Sequence, residues 1–67
     1  MLSERLRELR QEKGWTLKQT AELLGCALTT YAGYEQGVRE PSIAMLNILC
    51  DVYDVTSDYL IGRTDSY

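Results

Sequence analysis

Four glycines cut this chain into short pieces. Gly14, Gly25, Gly37 and Gly62 each follow a stretch whose apolar residues recur at helical spacing, the place where a helix takes a left-handed terminal residue. Between these stops the chain reads as five short helices and no strand. Sixty-seven residues allow a single domain. At that length a chain buries only about 60% of the surface its unfolded form exposes, so the core must be compact and its helix ends well capped.

The first helix is expected over about Leu2 to Lys13, where Leu2, Leu6 and Leu9 form an inward stripe. T-L-K-Q, Thr16 to Gln19, is a capping box that starts the second helix, which ends at Leu24 and buries Ala21 and Leu24. After Gly25, Cys26 and Ala27 comes the third, about Leu28 to Gln36, with Tyr31 and Tyr34 turned inward and Leu28 at its start. Pro41 and Ser42 open the fourth, Ile43 to Tyr53, with Ser42 as N-cap and Asp54 as a tolerated left-handed end. Thr56 caps a fifth over Ser57 to Ile61, with Asp58 near its positive end. The domain is thus expected over residues 1–62, followed by a short polar tail, 63–67, that frays.

Charge says less than its distribution. The net charge of −3 argues mildly against unspecific binding to nucleic acid. However, residues 1–40 balance six basic side chains against six acidic ones, and all the excess acid lies beyond them, in Asp51, Asp54, Asp58 and Asp65. Cys26 and Cys50 make no metal-ligand pair, and no histidine completes one. A disulfide between them is conceivable, but two small reduced core residues are favoured. The longest apolar run, IAMLNILCDVY, is too short and too interrupted to span a bilayer, and charge begins at Glu4, so no signal peptide is read. A cytoplasmic protein without membrane, metal or cofactor is expected. An enzyme is not: histidine, paired carboxylates and a phosphate loop are all missing, and the chain is small for a sizeable pocket.

Two helices joined across Gly25, Cys26 and Ala27 have the spacing of a helix-turn-helix, whose second helix can enter a major groove. Any small helical bundle has short connections, so spacing alone is modest evidence. The blocks LRELRQEKGWT, AELLG, YEQGVREPS and DYLIGR add to it: in this order and spacing, over about residues 2–63, they resemble the phage-repressor and Cro-like helix-turn-helix family of the xenobiotic-response-element type. The resemblance implies an all-α, compact five-helix bundle, a lambda-repressor-like DNA-binding domain with helices 2 and 3 as the helix-turn-helix. It also implies a transcriptional regulator, repressor-like, that binds double-stranded operator DNA as a two-fold homodimer. Arg10 and Glu35 match positions at which relatives pair helix 1 with the end of helix 3, and a structural bridge is preferred there to a catalytic Glu35.

The departures from the family pattern fall on the helix-turn-helix itself. From Cys26 through Tyr34 there is no Lys, Arg, Asn or Gln. Leu17 stands where relatives place a polar residue that touches the DNA backbone, and Ala27 where they place a Ser or Thr N-cap. The matching base-reading positions are Leu28, Thr29 and Gly33. Gly33 leaves a gap where a long side chain would reach a base; either the helix sits closer to the groove floor there, or DNA binding has ceased to matter. Thr29 and Thr30 can donate to a base or phosphate and offer a methyl to thymine, as Leu28 can, although the two threonines can equally bond their own helix. Thr16, Lys18 and Gln19, with Gln36 and Arg39, are expected to position the DNA backbone, while Lys18 and Arg39 also read as solvated surface charge.

Helix 4 is apolar almost all round. Leu46, Leu49, Cys50 and Tyr53 read as its core face, leaving Met45, Ile48 and Val52 on a flank that, with Tyr59 or Ile61, is a candidate homodimer contact. The same three residues can instead pack beneath the chain's C-terminal end. The leading reading is the DNA-binding regulator, and the alternative is a degenerate helix-turn-helix used for protein–protein interaction.

Overall fold

The computed structural model of the chain describes residues 2–62, and the expected polar tail lies outside them. Five helices follow in order: α1 (Leu2–Lys13), α2 (Leu17–Leu24), α3 (Leu28–Gln36), α4 (Ile43–Tyr53) and α5 (Ser57–Leu60), with no strand among the described residues. The last ends one residue before the expected boundary, with Ile61 as its C-cap. Helix α1 packs on α3 and α5, α2 on α3 and α4, and α4 on α5. All five converge on one core built from Leu6, Leu9, Ala21, Leu24, Tyr31, Tyr34, Leu49, Tyr53, Val55, Tyr59 and Leu60.

Local chemistry sets the helix ends. Thr16 accepts from the Gln19 amide at 3.0 Å while the Gln19 side chain accepts from the Thr16 amide at 2.9 Å, which closes the capping box. Ser42 accepts from Met45 and Thr56 from Tyr59, so α4 and α5 start under the same type of cap. Asp54 takes the left-handed conformation at φ 56°, ψ 51° that ends α4. Helix α3 is the exception. Ala27 holds the N-cap conformation, φ −69° and ψ 149°, with no side chain to accept from the first turn. Because that backbone is already in place, Ala27→Ser is expected to raise stability by about 1 kcal/mol, read as a higher urea midpoint. An unchanged midpoint would mean that solvent already satisfies those amides equally well.

Cys26 and Cys50 are free and half-buried, and no disulfide joins them. Burial pushes both thiols above their ordinary range, which disfavours the reactive thiolate.

Candidate nucleic-acid interface

The angle between α2 and α3 is set by their turn. Gly25 is left-handed at φ 72°, ψ 29°, and its amide donates to the carbonyls of Ala21 and Glu22. The Cys26 amide reaches back to Ala21 at 3.1 Å, so the last carbonyls of α2 are satisfied and the chain is turned sharply into Ala27. Within α2, the fully buried Thr20 donates its hydroxyl to the Thr16 carbonyl at 2.9 Å. That bond lets a hydroxyl enter the core without an unsatisfied group.

The inner edge of α3 is clamped from α1. Arg10 donates through Nε to Glu35 Oε2 at 2.7 Å and through Nη2 to Oε1 at 3.2 Å, a two-pronged ion pair across the buried Glu35 carboxylate. Its remaining nitrogen, Nη1, donates to the Trp15 carbonyl at 2.9 Å. Arg7 donates to the Glu35 carbonyl at 3.0 Å, a second tie from α1 to the end of α3. The expected Arg10–Glu35 bridge is therefore present, and it raises the Arg10 pKa further, chiefly through its hydrogen bonds to Glu35.

A buried polar chain that no single segment of the sequence announces continues inward from Glu35. The hydroxyls of Tyr31 and Tyr53 lie 2.6 Å apart in the core. Burial is the main reason both phenols are held above their ordinary value, and for Tyr31 the Glu35 carboxylate adds to it. Trp15 stacks on the Tyr53 ring at 5.7 Å between centroids, and Tyr34 meets Tyr31 edge-on at 6.3 Å. Four aromatic rings, two of them on α3 itself, and one ion pair thus hold α3 by its inner side.

The outer side of α3 is presented to solvent. Leu28 is 47% exposed, Thr29 and Gln36 are exposed, and Thr30 is half-buried. Thr16, Lys18 and Gln19 are exposed at the start of α2. Gln19 is already committed through its side-chain oxygen to the capping box, so only its amide nitrogen remains for a ligand. Leu17, which departs from the family pattern, packs against the core instead of facing out.

Gly33 needs correction. It is buried and leaves no open gap toward a groove. A Cβ built there would meet Arg39 Cδ at 2.9 Å, Cγ at 3.1 Å and Cβ at 3.3 Å, because the aliphatic stem of Arg39 lies across the glycine. The candidate dimer flank is also smaller than expected. Tyr59 belongs to the core, 8% exposed, with the Arg5 guanidinium 4.3 Å above its ring. Met45 and Val52 are half-buried against that core, while Ile48 and Ile61 are 39% and 42% exposed. Ile43, 81% exposed, is the most open large apolar side chain on α4 and was not part of the expected flank. Among the described residues no cluster of His, Cys, Asp and Glu could hold a metal ion, and no helix is long and apolar enough to cross a membrane.

Comparison with known proteins agrees with this geometry. A helix-turn-helix family model matches residues 6–60. The HTH-type transcriptional regulator AnsR of Bacillus subtilis (strain 168) is 55% identical over 60 residues, which cover 90% of this chain and 52% of AnsR. The chain spans about half the length of the curated relatives it matches. Among solved structures, that of SinR, a master regulator for biofilm formation, in complex with DNA superposes with a TM-score of 0.83 at 32% identity, covering 91% of this chain and 98% of that one. A transcriptional regulator from Listeria innocua superposes with a TM-score of 0.88 at 31% identity, over all of this chain and 63% of the other.

Proposed function

Since the chain belongs to the helix-turn-helix family, we propose that it is a DNA-binding transcriptional regulator, repressor-like, that lays α3 in the major groove of duplex DNA. One observation carries this reading: α3 is fixed by its inner edge through Arg10, Arg7 and the tyrosines, while Leu28, Thr29 and Gln36 face outward. A rigidly held helix with a free outer edge is what groove recognition requires. The SinR complex with DNA supports the same use of this fold.

In this reading Leu28, Thr29 and Thr30 meet base edges and thymine methyls. Thr16, Lys18, the Gln19 amide and Gln36 hold phosphates on either side. Few cations take part, so one subunit binds weakly, and a two-fold homodimer doubles the contacts. Ile48 and Ile61, with Ile43, supply apolar surface for that pairing in the cytoplasm, where the DNA is.

Titrating mixed-sequence duplex by fluorescence anisotropy at low and moderate salt tests the reading. Affinity is expected to fall as salt rises, and Lys18→Ala should reduce the slope of log K against log salt by about one. Light scattering on the saturated complex should find two chains per duplex. Absence of binding at low salt would instead favour a protein-interaction module, and one chain at saturation would remove the dimer.

A further inference from the structure

The geometry points to Arg39 as the residue that reads a guanine in the operator, reaching the groove across Gly33 of α3, whose lack of a side chain lets the Arg39 stem lie over it. This rests on the DNA-binding reading above and deepens it: the specificity-determining cation of this protein comes from the loop after α3, not from α3 itself.

The loop is built to bring it there. Gly37 ends α3 in the left-handed conformation, and its amide donates to the carbonyls of Gly33 and Tyr34. The next two amides, of Val38 and Arg39, also turn back onto the Gly33 carbonyl, at 3.1 and 3.2 Å. Three consecutive amides thus converge on one residue, and the chain is folded against α3 at that residue. The Arg39 stem then runs over Gly33 at distances no Cβ would tolerate, 2.9 Å at Cδ. Glycine in a helix interior is otherwise unfavourable by about 1 kcal/mol relative to alanine, and nothing in the backbone of Gly33 demands it, since its φ is helical. What demands it is the approach of Arg39.

Consequently position 33, one turn along α3 from the exposed Thr29, carries no side chain of its own and is covered by that of Arg39. Arg39 itself is exposed, and no hydrogen bond or ion pair among the described residues engages its guanidinium. The stem is held while the head is available. A guanidinium so placed has the two parallel donors that match O6 and N7 of guanine in the major groove, a match that the ammonium of lysine does not reproduce. From Cys26 through Tyr34 there is no other long polar side chain that could make that contact.

The test is selection from a randomised duplex library, followed by affinity and salt titrations on the selected duplex, with the parent chain, Gly33→Ala, Arg39→Lys and Arg39→Ala. The parent should select a guanine at one position of each half-site. Arg39→Lys keeps the charge, so it should keep the salt slope and lose discrimination at that guanine by roughly 5- to 100-fold. Gly33→Ala removes no DNA-facing group, and its gain in helix propensity of about 1 kcal/mol offsets part of the cost of moving the exposed Arg39 stem, so it should stay folded; by displacing that stem it should lose the same preference. Combining Gly33→Ala with Arg39→Lys should cost nothing further at that position. If Arg39→Lys and Gly33→Ala both leave base preference intact while Arg39→Ala weakens all duplexes equally, Arg39 is a phosphate contact and the inference is overturned. If the parent chain binds no duplex at low salt, the DNA-binding reading fails, and this inference fails with it.

Discussion

Glu35→Ala should leave the chain largely unfolded at room temperature. The carboxylate is 5% exposed and receives both prongs of Arg10, and removing it strands a guanidinium that is itself mostly covered. Breaking a buried pair by deleting one partner costs about 3–5 kcal/mol. A single core of this size rarely supplies more than about 3–5 kcal/mol in total. The loss therefore matches the whole stability of the domain. Replacing both partners by apolar residues, Arg10→Met with Glu35→Leu, removes the stranded charge and is expected to restore cooperative folding, although the Trp15 carbonyl loses its donor. Far-ultraviolet circular dichroism with urea titration reads both variants. A Glu35→Ala chain that melts within about 1 kcal/mol of the parent would show that the pair is held too loosely to matter.

Raising the pH above 10 should unfold the protein, through Tyr31 and Tyr53. Tyr31 is fully buried and Tyr53 2% exposed, and their hydroxyls bond each other. Both phenols are raised from an ordinary value of 10.0, first by burial. For such groups the folded chain holds its protons more tightly than the unfolded one. Their contribution is fully present below pH 10, and it is lost as pH climbs from there toward the folded value. Tyr31 then favours unfolding by about 1.4 kcal/mol per pH unit, which removes about 3 kcal/mol by pH 12, and Tyr53 adds to that loss in the same direction. Urea midpoints at pH 8, 10 and 11 should be flat and then fall steeply. The double variant Tyr31→Phe with Tyr53→Phe removes both partners together, a nearly neutral change at pH 8, and it should fall less. Equal alkaline loss in the two proteins would place the sensitivity elsewhere.

These two predictions rest on features of different legibility. The Arg10–Glu35 pair was readable because the resemblance marked both positions. Helix limits were readable because capping is local: Thr16 with Gln19, Ser42, Asp54 and Thr56 each act within a few residues of themselves. The bond between Tyr31 and Tyr53 was not readable, since it requires α3 and α4 to face each other at one particular depth. Burial follows the same division. Tyr59 looks amphipathic in a short terminal helix, and its place in the core beneath the Arg5 guanidinium depends on how α5 packs on α1. The surroundings of Gly33 are hidden in the sequence for a related reason. A missing side chain reads as a gap unless the path of the following loop is known, and here hydrogen bonds from three backbone amides to the Gly33 carbonyl bring Arg39 over it.

The exposed surface of α3 is consistent with the sparse chemistry of its sequence. Leu28 and Thr29 offer methyl groups and one hydroxyl, so groove contacts from the helix itself are largely apolar. Such contacts discriminate modestly, and the burden of affinity falls on phosphates and on a second subunit. That is why salt dependence, more than affinity at a single salt concentration, identifies how this protein binds.

The claim beneath all of this is that the outer edge of α3 is the surface that meets DNA. Amide chemical shifts followed by nuclear magnetic resonance while mixed duplex is added at low salt test it directly. The largest changes should fall on Leu28, Thr29, Gln36 and Arg39 and on the first turn of α2 at Lys18, with Ile48 and Asp51 on α4 little affected at substoichiometric DNA. Changes centred on α4 and α5, with the α3 edge unmoved, would contradict the account.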